Sequence, residues 1–308
     1  MGRRTTKSKR AADSKGAKKA PKSGKGARGK GSVPSGSSFP ETTRDASWWW
    51  VLTGVILVGI SLIAWRVGPR GETVPEQLRV EVLATYPHDP KAWTQGLLWD
   101  DGKVYEGTGL RGESTLRRVA LQSGAVEQSV SLPGEVFGEG LALAGDRLIQ
   151  LTWKEKRAFV WDRKTFKKIR EFSYEGEGWG LCFDGTRLVM SNGTSRLSFR
   201  DPETFAEIGS VRVRRAGQRF DGKLNELECV DGSVYANVWT SDYDRIARID
   251  PTTGDMTAWI DASGLLTAAE RAGRDVINGI AYIPERKTFL LTGKFWPKAF
   301  EVRFVPAE

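Results

Sequence analysis

The chain has 308 residues, with 47 Lys and Arg against 38 Asp and Glu, a formal charge of +9. Thirteen of the basic residues and only three of the acidic ones fall in residues 1–45, so that stretch carries +10 and the rest about −1; this excludes a basic, nucleic-acid-binding body, and no nucleic-acid partner is expected. Two cysteines and one histidine, His88, exclude a disulfide-dense scaffold, a four-thiolate zinc site and a three-histidine zinc site, which leaves carboxylates, lysine, amides and aromatics for any chemistry.

Residues 1–46 are mostly Gly, Ser, Ala, Lys and Arg and can bury too little to offset their ordering entropy, so a disordered tail is expected. Then comes WWWVLTGVILVGISLIAW, residues 48–65, inside a stretch of twenty uncharged residues from Ala46 to Trp65. As a helix this crosses a ~30 Å hydrocarbon layer. Trp48, Trp49 and Trp50 at one end and Trp65 at the other suit the two membrane interfaces. A cleaved signal peptide fits less well, because the run exceeds the usual core of about 7–15 residues and the sequence after Trp65 is a poor cleavage site. Residues 47–66 are therefore expected to form a transmembrane signal-anchor helix in the cytoplasmic membrane. The basic tail would stay in the cytoplasm, where it can meet anionic lipid headgroups, and all that follows would be periplasmic or otherwise extracytoplasmic. Residues 67–80 read as a linker.

From 81 to 308 the chain alternates short β-rich runs with Asp-Gly, Gly-Asp, Pro and Asn-Gly turns, and only Leu265–Arg274 suggests a short helix or loop excursion. A repeat shows in QGLLWDDGKVYEG from Gln95, EGLALAGDRLIQLT from Glu139, WGLCFDGTRLVMSN from Trp179, ELECVDGSVYANVW from Glu226 and NGIAYIPERKTFLLTG from Asn278. Their starts lie 44, 40, 47 and 52 residues apart. Three are followed by a related turn: WDRKTFKKI, FRDPETFAEI and RIDPTTGDMTAWI. Five strand meanders of this length predict an all-β fold, a five-bladed β-propeller. A β-sandwich would not repeat one unit in register.

In a propeller the first strands of the blades surround the axis, and the residues that open them meet at one mouth. Those residues are Gln95, Glu139, Trp179, Asn225 with Glu226, and Asn278, while the second strands add Trp153, Trp239 and Lys294 toward the same end. Amides, carboxylates and tryptophan are unusual at positions where packing alone would favour small apolar residues. This ring is the candidate site.

The same residues carry a resemblance. YPHDPKAWTQGL at 86–97, GLRGESTLRRV at 109–119, FGEGL at 137–141, LTW at 151–153, EGWGL at 177–181, LNELE at 224–228, ANVWTSD at 236–242, VINGIAY at 276–282 and LTGKFWP at 291–297 occur in order. Together they resemble the plant-type glutaminyl-peptide cyclotransferase family, including its bacterial members. The resemblance implies a five-bladed propeller that converts an N-terminal glutamine of a peptide or protein to pyroglutamate with release of ammonia, without a metal or other cofactor. It further implies Glu139 as the proton-transfer carboxylate, Gln95, Asn225 and Lys294 as polar contacts, and Trp153, Trp179 and Trp239 as aromatic walls, with Trp93 where the family pattern leads one to expect Phe.

The chemistry suits these residues. The substrate's own α-amine attacks its own γ-carbonyl, so the enzyme has to hold the folded conformer and move protons. Glu139 among tryptophans would be desolvated and its pKa raised, and Lys294 and Asn225 could stabilise developing charge on oxygen. Three other readings compete. Glu139 could be a channel carboxylate paired with Lys294; a calcium-dependent lactonase would need more convergent carboxylates than Glu139 and Glu226; and a non-catalytic envelope scaffold would not need the ring. Trp99 and Trp161 read as packing residues and His88 as structural. Cys182 and Cys229 hold matching places in adjacent repeats, and two free buried thiols are expected, such positions being read as too far apart to bridge.

Overall fold

The computed structural model describes residues 74–239 and 244–307. The tail at 1–46, the anchor at 47–66 and the first half of the linker, 67–73, lie outside the described residues. Among the described residues no helix is long and apolar enough to cross a membrane.

The fold is all-β. Strand β1 (Glu76–Pro87) begins five residues ahead of the boundary drawn from sequence. The first meander comprises β2 (Thr94–Asp100), β3 (Lys103–Thr108), β4 (Thr115–Ala120) and β5 (Ala125–Ser131), and the second β6 (Gly138–Ala144), β7 (Arg147–Thr152), β8 (Arg157–Asp162) and β9 (Lys168–Ser173). A third holds β10 (Leu181–Phe183), β11 (Leu188–Ser191), β12 (Arg196–Arg200) and β13 (Glu207–Arg212), followed by a small ribbon of β14 (Arg214–Arg215) and β15 (Gln218–Arg219). The fourth has β16 (Lys223–Val230), β17 (Ser233–Trp239), β18 (Arg245–Ile249) and β19 (Met256–Asp261). After the one-turn helix α1 (Ala268–Arg271), capped by Thr267 and Glu270, come β20 (Ile277–Ile283), β21 (Thr288–Gly293) and β22 (Lys298–Pro306).

Each meander is antiparallel with its strands in sequence order. The last takes its fourth strand from the other end of the chain, because β1 pairs antiparallel with β22, setting Val80 opposite Phe304. β1 also pairs in parallel with β19, which joins two meanders into one eight-stranded sheet. Apolar clusters lie between successive meanders. Leu98, Leu116, Leu141 and Phe159 fill one interface, and Leu97, Val104, Ala281 and Leu290 fill that between the last meander and the first. The recurring Asp turns are real structural devices. Asp162 and Asp201 each accept hydrogen bonds from the backbone and hydroxyl of a threonine three residues on, which reverses the chain before the fourth strand.

The first strands contact one another in a closed cycle, β2 to β6, β10, β16, β20 and back to β2. Their approach is close enough to require glycine. A Cβ at Gly140 would meet Leu181 N at 2.6 Å, and one at Gly180 would meet Asn225 O at 2.1 Å. Where the fourth repeat has Glu226 instead, its buried carboxylate accepts the backbone N–H groups of Leu97 and Ile280 from two other strands. The same closeness corrects the expectation for the cysteines. Cys182 on β10 and Cys229 on β16 have Cα atoms 5.5 Å apart and are bonded as a disulfide; equivalent positions on neighbouring first strands fall inside the ~4.4–6.8 Å that a bridge spans.

Candidate active site

The eight residues to which the resemblance gives a site role line one cavity of about 230 Å³: Gln95, Glu139, Asn225 and Lys294 with Trp93, Trp153, Trp179 and Trp239; Glu226 and Asn278 of the ring do not line it. Phe137 completes the wall. The volume equals roughly eight waters at ~30 Å³ each, enough for one side chain and its backbone.

Local backbone irregularity aims these side chains. The pairing of first and second strands shifts register between Thr94 and Gly96, between Gly138 and Leu141, between Leu224 and Leu227, and between Ile277 and Ile280. Gln95, Glu139, Asn225 and Asn278 each sit in such a shift. A bulge interrupts strict alternation and re-aims a side chain, here from the flank of the strand toward the cavity. Asn278 does not line the cavity; its Nδ2 donates to Gln95 Oε1 at 2.7 Å and to Thr94 O at 3.0 Å. Gln95 therefore has its NH₂ left to offer.

The walls are braced from outside. Glu177 Oε2 accepts from both Trp153 Nε1 at 2.8 Å and Trp179 Nε1 at 3.0 Å, clipping two indoles together. Trp179 and Trp239 meet edge to face at 6.3 Å, and Trp93 meets Phe295 likewise at 4.9 Å. Phe295 occupies the left-handed region at φ 61°, with its N–H donated to Ala92 O, which fixes the backbone beside Lys294.

The polar groups of the cavity are under-satisfied. Glu139 Oε2, Asn225 Oδ1 and Trp93 Nε1 are buried without a hydrogen-bond partner among the described residues. Lys294 is buried, its Nζ 5.2 Å from the Trp93 ring centre, and makes no ion pair with Glu139 among the described residues. Burial pushes the Glu139 carboxyl well above the ordinary range; Lys294 opposes the rise, and Glu155 and Glu177 add to it. Burial likewise lowers the Lys294 ammonium, against the pull of Glu139 and Asp275. Orphaned buried donors and acceptors on an aromatic wall are costly to folding and mark a place where a polar ligand completes the set. Glu226 is a different case, its carboxyl raised by burial and by Glu228 but both oxygens occupied by backbone amides. Among the described residues no group of three or more His, Cys, Asp or Glu is placed to hold a metal ion.

His88 stands outside the cavity, its Nδ1 2.7 Å from Trp296 O and its Nε2 3.0 Å from Glu106 Oε1. Trp161 is buried against Phe159, and Trp99 packs on the outer cluster. Sequence reasoning gave no role to Glu177 or Phe137, although both stand in the strings EGWGL and FGEGL. The Glu-x-Trp spacing was the available signal.

The sequence profile of the glutamine cyclotransferase family matches residues 56–304. A glutaminyl-peptide cyclotransferase from Arabidopsis thaliana is 42% identical over 234 residues, 74% of this chain and 72% of the relative. The crystal structure of Myxococcus xanthus glutaminyl cyclase superposes with a TM-score of 0.68 at 39% identity, covering 76% of this chain and all of that one.

Proposed function

The chain belongs to the glutamine cyclotransferase family and is a glutaminyl-peptide cyclotransferase, and from that premise we propose that the tryptophan-lined cavity is where an N-terminal glutamine closes to pyroglutamate. The observation that carries this reading is the set of unpartnered polar atoms, Glu139 Oε2, Asn225 Oδ1 and Trp93 Nε1, on one small aromatic wall. Glutamine brings an ammonium, an amide NH₂ and a carbonyl to meet them.

Glu139 is the proton carrier. An arriving α-ammonium favours its ionised form, and a carboxyl already raised by burial is matched for taking a proton from the attacking nitrogen. As the α-nitrogen bonds to Cδ, the π electrons move onto the carbonyl oxygen, where Lys294 and Asn225 supply stabilisation. When the carbonyl re-forms, the C–N bond to the side-chain amide breaks, Glu139 returns one proton so that the nitrogen leaves as ammonia, and the second proton lost by the α-ammonium passes to solvent. Gln95, oriented by Asn278, holds the folded conformer, and the tryptophans keep out water that would hydrolyse the amide. No metal enters these steps.

The cycle of meanders is read as a five-bladed propeller, the last blade closed by β1. Residues 47–66 would anchor that domain as a single membrane-spanning helix, with the tail at 1–46 in the cytoplasm near anionic headgroups and the catalytic domain outside; the uncharged run and its flanking tryptophans support this. Full-length protein extracted in detergent should release ammonia from a Gln-leading peptide, with and without a strong chelator. No release would end the cyclisation reading, and loss on chelation would end its metal-independent form. External protease should reach the catalytic domain in spheroplasts; protection there would reverse the topology.

A further inference from the structure

Beside the cavity lies a recess of about 430 Å³ whose lining includes Arg196, Arg212, Arg219 and Lys223 against a single acid, Asp221. The two share walls. Gly193, in the recess, lies so close to Trp179 that a Cβ there would meet the indole at 2.4 Å, and Lys223 Nζ sits 4.5 Å from the ring centre of Trp239. Both indoles also line the substrate cavity.

The cations are arranged at some cost. Arg196 stands directly opposite Arg212 across β12 and β13, and Arg214 directly opposite Arg219 across the ribbon. Like charges in directly opposed positions destabilise a sheet. Glu207 pairs with Arg196 and Asp255 with Arg214, while Asp221 lies 3.0 Å from Arg219 with both side chains largely in water. Arg212 and Lys223 have no carboxylate partner among the described residues. At the neighbouring indole of Trp153 the balance differs, because Arg111 and Lys154 there are matched by Glu155 and Glu177. Positive charge is therefore in surplus in the recess beside Trp239, and a cavity of about 230 Å³ that holds the terminal residue leaves those after it at the mouth.

We infer that this recess receives acidic residues that follow the N-terminal glutamine, so that the preferred substrates are Gln-leading peptides with Asp or Glu immediately downstream. The inference rests on the cyclotransferase reading. It is tested with full-length enzyme and three peptides, neutral, acidic or Lys-bearing after the glutamine, in wild type and in the double variant Arg212→Glu/Lys223→Glu. At low salt the wild type should favour the acidic over the neutral peptide in kcat/KM by about fivefold, the scale of exposed charge pairs at a binding rim. That ratio should shrink as salt rises. In the double variant the order of acidic and Lys-bearing peptides should invert, and because the ratio is taken within one preparation, any loss of folded enzyme cancels. Equal kcat/KM for the acidic and neutral peptides in the wild type, or an acidic preference that survives charge reversal, would overturn the inference. Failure of the wild type to cyclise any of the three peptides would instead remove the cyclotransferase reading, and this inference with it.

Discussion

Glu106 and Glu139 are both shut away from water, at 1% and 4% exposure, yet their surroundings shift their carboxyls in opposite directions. Behind β2, Glu106 accepts from Arg117 Nε at 2.9 Å and Thr94 Oγ1 at 2.7 Å and lies beside His88, while Arg117 reaches on to Asp89. Burial alone would raise Glu106, but Arg117 and His88 outweigh it and hold the carboxyl at about 2. In the cavity, Glu139 has the same burial with one distant ammonium and two further carboxylates, and it rises. Burial sets the stakes, and partners set the sign. A carboxylate with every lone pair engaged builds the fold; one left short of partners is available to a substrate.

The largest effect should come from Glu139→Gln. Turnover should fall by about 10²–10⁴-fold, the range of a positioned proton carrier, measured as ammonia release under single-turnover conditions. The fold should gain. A group whose folded pKa is raised loses stability as pH climbs above its ordinary 4.5, so the amide should melt above wild type at neutral pH. A variant that keeps full activity would move the proton-transfer role off Glu139.

Glu106→Gln should do the reverse, leaving chemistry intact in whatever molecules fold while weakening the fold. It strands a buried Arg117 and His88, and breaking such a cluster costs about 3–5 kcal/mol. Urea unfolding measures this. A loss near zero would mean that Asp89 takes over the guanidinium and that the contrast with Glu139 is one of position only.

Lys294→Met removes a charge and its hydrogen-bond donors from the cavity together. Removing one donor to a developing oxyanion costs about 10²-fold in kcat or more. The acid limb of the pH–rate profile should also move upward, because Lys294 is the group that restrains the rise of Glu139. An unmoved limb would place the titrating group elsewhere.

Much of this division was legible in the sequence. The polar or aromatic residue that opens each repeat, from Gln95 to Asn278, stood out because its chemistry suits packing badly; repeat position named seven of the residues that line the cavity, and the family resemblance added Trp93. The bulges that aim them were not legible, since a register shift belongs to two strands at once. Glu177 was hidden because it touches indoles rather than the cavity. The Cys182–Cys229 bridge was missed because spacing along the chain says nothing of how closely first strands approach where glycines such as Gly180 let the backbones touch. Glu76–Val80 read as linker because their pairing partners lie far along the chain, in β19 and β22.

The smallest effect is also the most discriminating, because it concerns the proton on His88. Both ring nitrogens face acceptors, Trp296 O and Glu106 Oε1, an arrangement that only the doubly protonated ring satisfies. Burial opposes that charge, but Glu106 and the Trp296 carbonyl outweigh it and the imidazole pKa is raised. A raised folded pKa contributes stability that is fully present below the ordinary 6.5 and is lost as pH rises through the folded value, whereas the depressed Glu106 contributes above 4.5 and fades as pH falls toward about 2. The cluster is therefore fully charged between these ordinary values, at pH 4.5 to 6.5. His88→Asn should be least stable relative to wild type in that window, with the deficit shrinking on the alkaline side as the wild-type ring loses its proton. A deficit that ignores pH would make His88 a neutral spacer, and the low pKa of Glu106 would then rest on Arg117 alone.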